Sequence, residues 1–302
     1  MADDLPDPRD VDWHPRRRQS IHGHGAAEQR LLAAWASGKL HHAWLIHGPR
    51  GIGKATLAYR FARFLLERRL PTEAPASLAV PAASPAHRHV AAGAHPDLFV
   101  LQRTWDGKRL KGEIAVTDAR KTGDFFAHTA GGGGYRVAIV DAADDLNAES
   151  ANALLKIIEE PPPLSVFLLV SHRPGALLRT IRSRAIDLAL SPLSPEDTLA
   201  VLSEVQPGQD LGEAAGLSAG SPGRALELAD SKGAKIFADF RARPHLTPAR
   251  AIEIAQNFGG RDKARDFEVF SELLVGWVAE TARSAALTGG GAALARAHDD
   301  IV

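Results

Sequence analysis

Gly48-Pro49-Arg50-Gly51-Ile52-Gly53-Lys54 follows the short apolar run Ala43-Trp44-Leu45-Ile46-His47 and precedes a segment carrying Leu57, Phe61, Phe64 and Leu65 at helical spacing. A strand, a glycine-rich turn and a helix, in that order, form the context in which such a loop binds phosphate. The glycines let backbone N–H groups close on phosphate oxygens, the helix N-terminus adds a favourable dipole, and Lys54 reaches the outer phosphates. Gly48, Gly51, Gly53 and Lys54 are therefore candidate nucleotide-binding residues, for ATP or ADP held weakly. One member of the pattern is missing. Residue 55, where a Ser or Thr hydroxyl normally ligates magnesium, is Ala55. Thr56 lies about 100° further round the helix and at best touches an inner phosphate.

Working outward, residues 26–36 carry Leu31, Leu32 and Trp35 at helical spacing, ending near Gly38. Beyond the loop, apolar runs at Leu98–Leu101, Arg136–Val140, Val166–Val170 and Ile186–Leu190 alternate with helical patterns. That alternation predicts an α/β domain with a mostly parallel sheet covered on both faces. Residues 71–94, rich in Ala, Pro and His, have no sustained period and read as a surface insertion. Gly131–Gly134 reads as a mobile connection. After Leu190 the pattern is all helical. Ser194-Pro195-Glu196-Asp197 is a strong helix start, Thr247-Pro248 repeats its first two features, and Phe267, Phe270, Leu274, Trp277 and Thr281 form a stripe from Asp266 onward. That stripe must bury itself against other helices or another subunit.

Val137-Ala138-Ile139-Val140-Asp141 delivers a carboxylate to the C-terminal edge of the sheet, where open parallel sheets place their ligands. Asp141 is the expected magnesium partner, directly or through a bound water. The next residue, where an acid orients the attacking water, is Ala142. The losses at 55 and 142 both strike hydrolysis. A water-positioning group contributes about 100- to 10,000-fold in rate, so turnover by this site should be negligible. The rival is an active ATPase that uses Thr56 with Asp144 or Asp145 as substitutes.

The 36 basic and 36 acidic side chains cancel, so no global field drives binding to nucleic-acid backbones. The absence of cysteine excludes disulfides and thiolate zinc sites. His87, His89 and His95 lack partners at familiar ligand spacing, so no zinc is expected and no metal site is assigned to them. The acidic, proline-broken start and the lack of a long apolar run predict a cytoplasmic protein with no membrane association.

Asn147-Ala148-Glu149-Ser150-Ala151-Asn152-Ala153-Leu154-Leu155-Lys156-Ile157-Ile158-Glu159-Glu160-Pro161-Pro162 resembles the helix after the acidic strand in the AAA+ subunits of bacterial DNA polymerase III clamp loaders. His41-His42-Ala43-Trp44-Leu45, Thr180-Ile181-Arg182-Ser183-Arg184 and Gly220-Ser221-Pro222-Gly223-Arg224-Ala225-Leu226 resemble the same family in the same order. These segments fall within residues 21–230. The resemblance implies an AAA+ P-loop NTPase domain over 1–191, a small helical lid domain over 192–232 and a helical collar domain over 233–302. The stretch after Gly289-Gly290-Gly291 is brief for a collar, which leaves its completeness open. Two departures stand out: the family's four-cysteine zinc module is absent at 71–94, and its Ser-Arg-Cys turn is Ser183-Arg184-Ala185.

The resemblance also implies a function. With a damaged site the chain matches the non-hydrolysing member of the five-subunit ring. It would help load the sliding clamp onto primed DNA and supply Arg184 in trans as an arginine finger. Arg224 and Thr56 would complete a degenerate nucleotide site. The gamma/tau and delta subunits would be its partners, with the clamp and primed DNA reached through the complex.

Overall fold

The structure, a computed structural model, describes residues 7, 9–68, 75–127, 133–260 and 263–287. The chain divides into two compact units: residues 1–207 with 220–222, and residues 208–219 with 223–302.

The first unit runs α1 (Gly25–Ala36), β1 (Ala43–His47), α2 (Lys54–Glu67), α3 (Pro85–Ala92), β2 (Leu98–Leu101), α4 (Val116–Ala127), β3 (Arg136–Asp141), α5 (Ala148–Glu159), β4 (Ser165–Ser171), α6 (Arg179–Arg182), β5 (Ile186–Ala189) and α7 (Pro195–Val205). The five strands form one parallel sheet in the order β2-β3-β4-β1-β5. Every strand expected from its apolar run is present, with ends shifted by at most one residue. Parallel strands need crossovers that return the chain to the same edge, and helices cover both faces as a result.

Successive side chains on a strand point to opposite faces, which divides the core in two. Trp44 and Ile46 of β1, Val137 and Ile139 of β3, and Leu168 and Val170 of β4 pack with Leu31, Trp35, Leu57, Phe61 and Phe64 of α1 and α2. Ala43, Leu45, Ala138, Val140, Phe167 and Leu169 face the other way, onto Phe126 of α4 and Leu154 and Ile158 of α5. All of these side chains are buried.

The insertion reading of 71–94 is corrected in its second half, where Pro85–Ala92 forms α3. The Ser84 hydroxyl accepts the His87 N–H at 3.1 Å, Pro85 occupies the first turn, and Gly93 ends the helix with φ 71°. Ala86 and Val90, four apart, turn inward, and Leu78 before the helix is fully buried. The connection expected at Gly131–Gly134 lies largely outside the described residues.

The second unit carries α8 (Gly212–Leu217), most of α9 (Pro222–Ala229), α10 (Lys232–Ala242), α11 (Pro248–Gln256) and α12 (Ala264–Leu287). The caps read from the sequence are formed: Ser194 accepts the Asp197 N–H at 3.0 Å, and Thr247 accepts the Arg250 N–H at 3.3 Å. Phe270, Leu274 and Trp277 of α12 pack with Phe237 and Phe240 of α10, so this part of the stripe serves the unit's own core. Phe267 stays 52% exposed. No described helix is long and apolar enough to cross a membrane.

Candidate nucleotide site and the Arg184 turn

The loop forms at the C-terminal end of β1. Gly48, Gly51 and Gly53 have φ of 146°, 77° and 101°, in the region that side chains disfavour. The Gly48 N–H donates to the Ser171 carbonyl, which anchors the loop to β4 at 3.3 Å. His24 Nε2 donates to the Ile52 carbonyl at 2.6 Å, and the Ser221 hydroxyl donates to the Arg50 carbonyl at 2.8 Å. Burial lowers the pKa of His24, which keeps that imidazole neutral.

Lys54 opens α2 and is 3% exposed. Its Nζ donates to the Gly48 carbonyl at 2.8 Å and to the Pro49 carbonyl, so the ammonium is held by the loop's own backbone. Desolvation pushes it down to about 8, against the pull of the Asp141 and Asp144 carboxylates. Asp141, at the end of β3, is pushed up to about 6 by burial, and Lys54 only partly offsets this. The order of the sheet sets this geometry: β4 lies between β1 and β3, so loop and carboxylate face each other across one strand.

Ala142 is buried and presents only a methyl group where a catalytic carboxylate would stand. Asp144 accepts three hydrogen bonds from the end of β4: the Ser171 hydroxyl at 2.9 Å, the His172 N–H at 2.6 Å and the Arg173 N–H at 2.9 Å. Burial acts to raise its pKa, and these donors outweigh it and hold the carboxyl below its ordinary value. Asp145 pairs with Arg103 at 3.0 Å. Both substitutes open to an active ATPase are thus engaged in holding the fold.

Arg184 sits at the opposite sheet edge. It follows α6 and precedes β5, and β5 pairs in parallel with β1, with Trp44 opposite Ile186. The loop leaves β1 at its other end. Five residues of strand, at roughly 3.3 Å each, separate the two by about 16 Å. Arg184 Nη1 donates to the Thr180 carbonyl at 3.1 Å, and Nη2 pairs with Glu159 at 2.8 Å. Arg224 belongs to the second unit, where it pairs with Glu272 at 2.6 Å and Glu227 at 3.6 Å.

A sequence model of the family described as DNA polymerase III, delta subunit, matches residues 23–194, more than half of the chain and the whole of the loop, the acidic strand and the Arg184 turn. The chain belongs to this family. Among its relatives is the DNA polymerase III subunit delta' of Pseudomonas aeruginosa, 38% identical over 62% of this chain and 55% of the relative. The subunit delta' of Escherichia coli is 36% identical over 72% of this chain and 60% of the relative. The gamma/tau subunit of Mycobacterium bovis is 31% identical over 64% and 32%. The chain spans little more than half the length of the two delta' relatives. Among solved structures, the Thermotoga maritima RuvB Holliday junction branch migration motor matches with a TM-score of 0.44 and 18% identity, covering 82% of this chain and 75% of that one. The α/β P-loop fold of this delta' family member rests instead on its sheet order and family.

Two residues at the site, His24 and His172, carry no motif of their own, while Asp144 ends the remnant of the acidic signature that opens at Asp141. His24 lies nearly thirty residues before the carbonyl it holds, and Asp144 and His172 meet only once β4 is placed beside β3. The alternation of strands and helices was the one signal that brought them near, and it does not specify which side chains touch.

Proposed function

We propose that this chain is a non-hydrolysing subunit of a DNA polymerase III clamp loader that supplies Arg184 in trans to a neighbour's ATP site. The observation that carries this reading is the placement of Arg184 at the sheet edge opposite the chain's own loop. An arginine about 16 Å from its own phosphate site cannot neutralise charge there, yet it is 39% exposed on a surface that another subunit can reach. A guanidinium delivered to a transferring phosphoryl group stabilises its developing charge and contributes on the order of 1,000- to 100,000-fold at one site.

The chain's own site supports the same reading. Ala55 offers no magnesium ligand, Ala142 no base, and Lys54 is bonded to loop carbonyls. Gly48, Gly51, Gly53, Lys54, Thr56 and Asp141 are then a degenerate site, holding ATP or ADP weakly, with no zinc required. In this reading the partners are gamma/tau and delta subunits, with the sliding clamp and primed DNA met through the complex, in the cytoplasm.

The test is a complex reconstituted with an Arg184→Ala chain. It should assemble normally, lose part of its ATPase activity and load clamps more slowly, because only the site bordering this chain loses its arginine. Clamp loading at the unmodified rate by a normally assembled complex would overturn the role in trans.

A further inference from the structure

Arg184 opens onto a groove of about 610 Å³ bounded by His41, His42, Glu159, Glu160 and Arg184. The groove follows from the fold: the residues before β1, the C-terminal end of α5 and the end of α6 meet at the same sheet edge. His41 and His42 stack with ring centroids 4.3 Å apart and form one wall. Two acids and one arginine make this an unfavourable place for an anion while the Glu159 carboxylate stays on the guanidinium.

We infer that Glu159 is a displaceable counter-ion, which occupies Arg184 while the groove is empty and competes with the phosphate that the arginine is to meet. This rests on the reading that Arg184 acts in trans. Arg184 does not depend on Glu159 for its direction, since Nη1 is fixed separately by the Thr180 carbonyl in the first turn of α6. Both partners of the pair are about two-fifths exposed, 39% and 40%. Such pairs are weak in water, and a phosphoryl group carrying two charges and several acceptor oxygens displaces a single carboxylate. Glu159 therefore acts as a restraint. It lowers the affinity of the groove for the neighbour's terminal phosphate and keeps the guanidinium occupied until the subunit interface closes. Glu159 is a positioning residue, since it reaches the reaction only through Arg184.

The experiment uses Glu159→Gln, an isosteric change at an exposed helix end. In a complex rebuilt from purified subunits, the apparent KM for ATP should fall about 2- to 5-fold, the range set by an exposed ion pair, with kcat changed less than about twofold. The gain should vanish in Arg184→Ala/Glu159→Gln. In the isolated full chain, NMR should show faster rotation of the Arg184 guanidinium in Glu159→Gln, a readout independent of any neighbour. A KM that stays constant or rises, or a guanidinium signal that does not change, overturns the inference. If Arg184→Ala alone leaves the complex's ATPase intact, the trans reading has failed and the inference falls with it. The NMR comparison still separates that outcome from absence of the ion pair.

Discussion

Gly48 has no room for a side chain. A Cβ there would lie 2.3 Å from the Leu190 carbonyl oxygen, and φ of 146° is strained for any other residue. Gly48→Ala should lower stability by roughly 1–3 kcal/mol from backbone strain alone, with further loss from displacing β5. Gly175→Ala, with nothing within 4 Å of its Cβ, should change little. Urea midpoints of the two variants decide whether the loop is a built structure. His172 gives a second test at this scale. Burial, with Lys54 adding to it, pushes its pKa down to about 4. Between pH 4 and about 6.5 the unfolded chain holds a proton on His172 that the folded chain lacks. Stability is therefore full above pH 6.5 and falls as pH drops toward 4, by about 1–2 kcal/mol after discounting for solvent access. Asp141 works in the opposite sense between pH 4 and 6, so the comparison must be with His172→Gln, whose profile should be flatter. Equal slopes would show that His172 titrates normally. The glycines and Lys54 were legible in the sequence because loop chemistry is local and position-specific. Asp144 was legible as a carboxylate of the acidic segment, but its contact with His172 was not, because that contact exists only through strand order.

At the level of elements, legibility followed length and period. Every strand was readable from its apolar run, whereas α3 was hidden in a stretch of Ala, Pro and His too short to establish a period. Its Ser84-Pro85 start is the same signal as Ser194-Pro195, and the buried pair Ala86 and Val90 is the same spacing at smaller scale. Ser84→Ala, which removes the cap on His87 N–H, should cost about 1 kcal/mol, measured by urea unfolding; no loss would mean that tertiary packing alone holds the helix. The stripe on α12 was visible as a period, but a period alone cannot say what covers it. Phe270, packed with Phe237, Phe240 and Phe258, belongs to the unit's own core. Phe270→Ala should therefore cost about 3–5 kcal/mol, while Val275→Ser, at a side chain 69% exposed, should stay within about 0.5 kcal/mol. Equal losses would show that the outward side of α12 is also covered.

For the whole molecule, the question is whether one chain can carry a complete catalytic cycle. A P-loop ATPase needs a magnesium ligand, a water-orienting acid, a lysine on the outer phosphates and a positive group on the transferring phosphoryl. Here residue 55 is Ala, residue 142 is a buried Ala, and Lys54 is bonded to the Gly48 and Pro49 carbonyls. Arg184 stands across the sheet from the loop, with β1 between them. The losses at 55 and 142 are chemical, and a substitution can repair each. The last is topological, since parallel strands fix which ends of β1 and β5 lie together. The isolated chain should therefore show no ATP turnover above background, and Ala55→Thr should not create it, although the added hydroxyl can strengthen magnesium-dependent binding. Binding itself requires Lys54 to leave two backbone acceptors, so calorimetry should find it weak and lost in Lys54→Ala. Steady turnover by the unmodified chain, abolished by Lys54→Ala, would show that the site works without an acid at 142, and the division between an idle site and a delivered arginine would have to be abandoned.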